Sequence, residues 1–184
     1  MLMSPDANGP QVHYYVIRGG MDKTNVTVWE VGKVGEEYIK TYGHYHAGEI
    51  SETYKILQGE GVFLLQKRKT GIDGNLLDDT LESFIAVKVK ENDKVFIPSG
   101  YGHLVVNTGK TWLVTSDNSP VNFEKKDPVS LPGHAEYSAV KKMHGFGYYL
   151  VEEKGQVKLI KNGNYKDLPQ PDWLTPQDWN QRNS

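Results

Sequence analysis

Alternation of apolar and polar residues with a period of two dominates the chain and predicts β-strands. In the run NVTVWEV, Val26 and Val28 share one face, and Thr27 and Trp29 share the other. Comparable short runs recur at 12–17, 37–41, 52–57, 62–67, 83–90, 94–98, 103–107, 111–115, 147–153 and 156–160. Glycine-rich turns separate many of them, so the pattern predicts an all-β sandwich or barrel with little helix.

One segment near the end carries helix signals. In TPQDW (175–179), Thr175 can cap a helix and Pro176 suits its first position. The tail before this segment has no regular pattern. We expect Trp173 and Trp179 to pack against the outside of the barrel.

Length and composition limit the remaining possibilities. The 184 residues fit one domain, with loops expected at 68–80 and no assignment for 116–136. A net charge of −2 offers no electrostatic case for binding nucleic acid or an anionic membrane. The first residues do not form a signal peptide and no apolar run is long enough to span a membrane, so the cytoplasm is the expected compartment.

Histidines and carboxylates cluster in a way that predicts a metal site. His44 and His46 lie two positions apart, so on a strand they point to the same side. His103 supplies a third imidazole from a distant strand, and Glu49 and Glu52 both offer a carboxylate. Because the chain has no cysteine, nitrogen and oxygen atoms must hold any metal. Three imidazoles and a carboxylate suit a divalent transition metal, with positions left open for water or substrate.

Two segments resemble the motifs of the cupin family. GHYH (43–46) followed by ETYKILQG (52–59) resembles the first motif, although the gap between His46 and Glu52 is longer than in most cupins. PSGYGHLVVN (98–107) resembles the second motif and matches it completely. The resemblance implies a double-stranded β-helix, a jelly-roll barrel with the metal inside.

The longer gap is itself typical of one group of cupins. The run VGKVGEEYIKTYGHYHA (31–47), with ETY and GEGVFLLQ after it, is similar to the cupin-type glucose-6-phosphate isomerases of archaea and some bacteria. The likeness covers a core of about 25–160, which implies a single cupin domain over 1–184 with extensions at both ends. It also implies a homodimer with one divalent ion per subunit. Fe²⁺ is the first expectation, and Mn²⁺, Ni²⁺, Co²⁺ or Zn²⁺ are alternatives.

The resemblance also implies the metal ligands, which by position are His44, His46, Glu52 and His103. Glu52 is preferred to Glu49 because it keeps the motif's spacing to Gly59 and shares a strand face with Tyr54.

Further positions correspond to the family's substrate site. Thr27, Thr41 and Gly43 match residues that hold the substrate phosphate, and Tyr54 matches a tyrosine that lines the sugar site. His134 and Tyr137 lie in a segment similar to the family's G-H-x-Y region, where this chain has one extra residue. With Glu52 and Tyr54, they complete the expected catalytic set.

The resemblance implies an isomerase that interconverts glucose 6-phosphate and fructose 6-phosphate, and the chemistry of these groups suits such an aldose–ketose isomerisation. A metal ion can hold the oxygens of carbons 1 and 2 and stabilise an enediolate, while a carboxylate moves the proton. A cupin dioxygenase or decarboxylase would use the same ligands, and a metal-free sugar-binding or storage cupin is a third alternative. The polar, tyrosine-rich surroundings favour a phosphosugar.

Overall fold

The alternating segments pair into β-sheets in the computed structural model, which describes residues 1–19, 24–119 and 135–183. One sheet has the strand order β1-β2-β11-β6-β9. Its strands are β1 (Tyr14–Ile17), β2 (Asn25–Trp29), β11 (Leu113–Asp117), β6 (Glu52–Gln58) and β9 (Lys94–Ile97). All of its strand pairs are antiparallel.

A second sheet has the order β10-β7-β8-β15. It contains β10 (Tyr101–Asn107), β7 (Glu60–Thr70), β8 (Leu76–Lys90) and β15 (Asp172–Leu174). The strand β15 is parallel to β8, and the other pairs are antiparallel.

The remaining elements are short. A smaller sheet is formed by β3 (Lys33–Val34), β4 (Glu37–Tyr38), β13 (Tyr148–Glu153) and β14 (Gln156–Lys161), and a two-stranded ribbon by β5 (Tyr45–His46) and β12 (Ala135–Glu136). The described helices are α1 (Ser138–Lys142) and α2 (Pro176–Arg182). The predicted all-β jelly-roll barrel with little helix is confirmed.

Strand β7 shows why the second sheet is apolar on both faces. Phe63 and Leu65 pack into the core beneath the first sheet, together with Trp29. The alternate residues Val62 and Leu64 pack into a second core that includes residues of β13 and α1. Because successive side chains of a strand point to opposite faces, a strand covered on both sides has the continuous apolar run seen here.

The loop predicted at 68–80 is mostly strand. β7 extends to Thr70 and β8 begins at Leu76, so only 71–75 form the turn. Backbone hydrogen bonds hold the two strands together at the end of the hairpin, and such bonds form equally well where the side chains are polar and exposed. Composition alone was therefore misleading at this position.

The C-terminal tail is more ordered than its pattern predicts. The helix expected at 175–179 is confirmed as α2, and the Thr175 side chain accepts a hydrogen bond from Asp178 N at 3.2 Å. Trp179 is buried, and its Nε1 donates to Phe96 O at 2.6 Å. Trp173 stays partly exposed beside β8. The described helices lack the length and apolar character that a membrane span needs.

Candidate metal centre and surrounding pocket

A short ladder joins the chain segment before the first histidine to β10. Asn107 N donates to Ile39 O at 2.8 Å, and Thr41 N donates to Val105 O at 3.0 Å. Val105 N returns a hydrogen bond to Thr41 Oγ1 at 3.1 Å. Residues 39–44 therefore lie antiparallel along the strand that carries the third histidine.

One extra residue interrupts this ladder just before His44. Lys40 lies opposite Val106, whereas His44 lies opposite His103. The chain thus advances four residues on one side and three on the other, as it does at a β-bulge. A bulge redirects the side chains that follow it, and here it sets the position of His44.

Gly43 makes this irregularity sterically possible. Its φ of 81° lies in the left-handed region that side chains disfavour. A Cβ at this position would lie 2.8 Å from a ring atom of Phe146 and 3.0 Å from Leu104 Cβ. Only glycine fits both the backbone angle and the space.

Three imidazoles meet beyond the bulge. His44 N donates to His103 O at 3.2 Å and His103 N donates to His44 O at 3.0 Å, so the backbone holds these two residues side by side. Their ring centroids are 4.5 Å apart, and the ring of His46 lies 5.0 Å from His44 and 5.3 Å from His103. Each histidine offers a nitrogen within 4.8 Å of those of the other two.

Glu52 joins the cluster from the first residue of β6. Its Oε1 lies 2.8 Å from His103 Nε2 and 3.1 Å from His46 Nε2. Burial opposes its ionisation, but the charges and hydrogen bonds of His103 and His46 outweigh burial and hold the pKa of Glu52 below its ordinary value. Glu49, the competing carboxylate, is exposed.

The donor set fits a divalent transition metal. Three imidazole nitrogens and a buried carboxylate match the preference of such ions for nitrogen and oxygen ligands. The Nδ1 atom of His103 is buried and forms no hydrogen bond with a described residue. Burying a polar atom without a partner costs free energy, which a bound ligand would offset.

Two tyrosines flank the histidines. The Tyr54 hydroxyl lies 3.4 Å from His103 Nε2, and burial together with the charges of Glu52 and Asp117 raises the pKa of Tyr54 well above its ordinary value. The Tyr137 ring packs against His44 with centroids 5.5 Å apart. His134, the remaining residue of the expected catalytic set, lies outside the described residues.

The expected phosphate residues line the same pocket. Thr27, Thr41 and Gly43 share it with His44 and Glu52, in a space of about 570 Å³ that includes the part open to solvent. The structure thus brings together the described residues that the sequence assigned to metal and substrate.

Two charged residues of the pocket were missed in the sequence. Arg18 follows β1 and lines the pocket with Tyr14 and Val16, as alternate residues of a strand do. Asp117 reaches the pocket from the end of β11. Alternation in 12–18 places Arg18 on one face with Tyr14, but no local pattern indicates that this face points inward.

Comparison with known proteins gives a consistent family. Residues 16–167 match the family model described as glucose-6-phosphate isomerase (GPI). The chain is 33% identical over 141 residues to a glucose-6-phosphate isomerase of Thermococcus onnurineus, covering 76% of this chain and 62% of that protein. It is 30% identical over 142 residues to that of Thermococcus kodakarensis, covering 77% and 63%. The chain therefore spans less than two thirds of the length of these relatives.

Solved structures give weaker matches. The capsular polysaccharide assembling protein CapF of Staphylococcus aureus aligns with a TM-score of 0.41 and 20% identity, over 62% of this chain and 28% of CapF. An oxalate decarboxylase of Bacillus subtilis aligns with a TM-score of 0.36 and 18% identity, over 56% and 24%. Scores this low add nothing to the functional argument.

We expect His44→Ala and His103→Ala to lose bound metal while the barrel stays folded, because its core is apolar and each variant removes one ligand. Metal content after loading with Mn²⁺ and desalting, measured by mass spectrometry, checks this. His13→Ala, which removes an imidazole outside the cluster, should keep its metal. Full occupancy in both cluster variants would disprove the ligand assignment.

Proposed function

The chain belongs to the glucose-6-phosphate isomerase family, and from this premise we propose that it interconverts glucose 6-phosphate and fructose 6-phosphate with the help of a divalent metal ion. One observation carries the proposal. The residues that line one pocket include His44, His103, Glu52, Thr27 and Thr41. His46 completes the histidine cluster beside that pocket, with its Nε2 3.1 Å from Glu52 Oε1. That pocket offers metal ligands, a base and phosphate donors within reach of one small substrate.

The metal would be held by His44, His46, His103 and Glu52. When bound, a divalent ion supplies Lewis acidity toward the oxygens of carbons 1 and 2 of the sugar. Glu52 is the proposed base, taking the proton from one of these carbons and returning it to the other. Its lowered pKa keeps it in the carboxylate form that accepts a proton.

Tyr54 is the proposed hydroxyl donor beside the reacting carbons. It lies on β6 two residues after Glu52, on the same strand face. Its raised pKa keeps the phenol protonated, so it can donate a hydrogen bond to a sugar oxygen. Tyr137 packs on the His44 ring, and its proposed role is to help exclude water from the site.

Phosphate recognition would combine neutral donors with one cation. The Thr27 and Thr41 hydroxyls and the Gly43 N–H are the donors implied by the family. Arg18 is the one arginine or lysine among the described residues that line the pocket, and no described residue forms an ion pair with it. Its guanidinium can balance the charge of a phosphate group in a pocket that also contains carboxylates.

The same features favour the isomerase over the dioxygenase or decarboxylase alternative. Arg18 and the threonine hydroxyls serve a phosphorylated polar substrate, whereas oxygen chemistry on the metal does not need them. We further propose that the protein is a homodimer, that iron is its first-choice metal and that it works in the cytoplasm.

Purified protein loaded with Fe²⁺ or Mn²⁺ should convert fructose 6-phosphate to glucose 6-phosphate, and a chelator should abolish the conversion. A coupled glucose-6-phosphate dehydrogenase assay measures the product. Unphosphorylated fructose, with detection of glucose, is the control and should be turned over poorly, because it lacks the group that Arg18 and the threonines bind. Absence of conversion with every metal would refute the proposed function.

Glu52→Gln should lower kcat by about 10²- to 10⁴-fold, the range expected when general acid–base catalysis is lost. The matched variant Glu49→Gln, which changes an exposed carboxylate nearby, should alter kcat by only a few-fold. Both are compared at saturating metal, because added ion cannot replace a missing base. A large loss of kcat in Glu49→Gln together with a nearly unchanged kcat in Glu52→Gln would instead assign the base to Glu49. Full rescue of Glu52→Gln by metal would leave Glu52 as a ligand only.

A further inference from the structure

Asp117 occupies the strand between the two halves of the proposed substrate site. β11 lies between β2, which carries Thr27, and β6, which carries Glu52. Asp117 lies opposite Asn25 on one neighbour and opposite Tyr54 on the other. The residue is 6% exposed and lines the pocket.

Hydrogen bonds fix the Asp117 carboxylate through one of its two oxygens. Oδ1 accepts from Asn25 Nδ2 at 2.7 Å, from Ser119 Oγ at 2.7 Å and from Ser119 N at 3.1 Å. The Asn25 amide is itself oriented, because its Oδ1 accepts from Gly19 N at 3.2 Å and its Nδ2 also donates to Ser119 O at 3.2 Å. Asn25 therefore presents a donor to Asp117.

The second oxygen of Asp117 has a different environment. None of the described residues donates a hydrogen bond to Oδ2. This oxygen is not fully buried either, so a ligand can reach it. Because the side chain lines the pocket and Oδ1 is saturated by the protein, Oδ2 is the oxygen left for a ligand.

An anchoring role alone does not account for a carboxylate here. Burial and the charge of Glu52 both raise the pKa of Asp117, which means that the folded protein disfavours this charge. An asparagine could accept the hydrogen bonds at Oδ1 without that cost. A carboxylate facing the pocket would bind a ligand hydroxyl more strongly than an amide would, because hydrogen bonds to charged groups are stronger than neutral ones.

We propose that Asp117 Oδ2 accepts a hydrogen bond from a hydroxyl on the middle carbons of the substrate, carbon 3 or carbon 4, and thereby selects the sugar. The inference rests on the proposed function. With the phosphate beside Thr27 on β2 and carbons 1 and 2 beside Glu52 on β6, the intervening strand faces the middle of the molecule. A buried acceptor left unpaired rejects an analogue that lacks the hydroxyl.

The test combines a variant of Asp117 with substrate analogues that each lack one hydroxyl. The kcat/KM values of the native protein and of Asp117→Ala are compared for fructose 6-phosphate and for its 3-deoxy and 4-deoxy analogues. One analogue should be about ten- to a hundred-fold poorer for the native protein. Asp117→Ala should lose a similar factor on fructose 6-phosphate but little more on that analogue, because the lost hydrogen bond is the same one.

Asp117→Asn and Ser116→Ala complete the set. Asp117→Asn keeps the shape and should show the same loss of discrimination, which serves if Asp117→Ala folds poorly. Ser116 is the preceding residue of β11 and faces the opposite side of the strand, so Ser116→Ala should discriminate as the native protein does. Melting temperature and metal content, measured for each variant, report on the fold and the ion separately.

The possible results test the proposed function and the role of Asp117 separately. If the native protein does not interconvert the two hexose phosphates, the proposed function fails. If it does, but the losses in kcat/KM caused by Asp117→Ala and by each deoxy analogue are independent and multiply, the role of Asp117 is refuted. The proposed isomerase activity is then still supported. The same refutation follows if the native protein accepts both analogues as well as fructose 6-phosphate.

Discussion

The reciprocal backbone pair between His44 and His103 is the interaction on which the site depends. It places residues that are distant in sequence side by side, with ring centroids 4.5 Å apart. Backbone hydrogen bonds fix this spacing without using the imidazole nitrogens. The extra residue before His44, made possible by Gly43, sets which part of the chain faces the pocket. Catalytic and binding groups need such firm support to hold their geometry.

Around this pair, the two sheets divide the chemistry. The second sheet contributes His103 through β10, while the first sheet contributes Thr27, Asp117 and Glu52 on three adjacent strands. A ligand lying across the first sheet would therefore meet in turn the threonine proposed to bind its phosphate, the proposed hydroxyl acceptor and the proposed base. The strand order of the first sheet thus suits the linear order of groups along a hexose phosphate.

Much of this arrangement could be predicted from local sequence patterns. Alternation identified the strands, and the spacing of His44, His46, Glu52 and His103 identified the residues that the structure brings together. Both signals work because strand geometry relates sequence spacing directly to side-chain direction.

Other features depend on contacts that no local pattern encodes. Asp117 belongs to the pocket only because β11 pairs between β2 and β6, strands far from it in sequence. Predicting that Arg18 lines the pocket would have required knowing which face of β1 points inward. The end of the 60–90 hairpin has the composition of a loop, but its strands are held there by pairing rather than by apolar side chains.

The most direct test of the account is the position of a bound metal. Crystals grown with Mn²⁺ and measured near the manganese absorption edge would locate the ion in an anomalous difference map. The account predicts one strong peak per chain, within coordination distance of His44, His46 and His103 and beside Glu52. A peak elsewhere, with the three imidazoles bound only to protein groups or water, would contradict it.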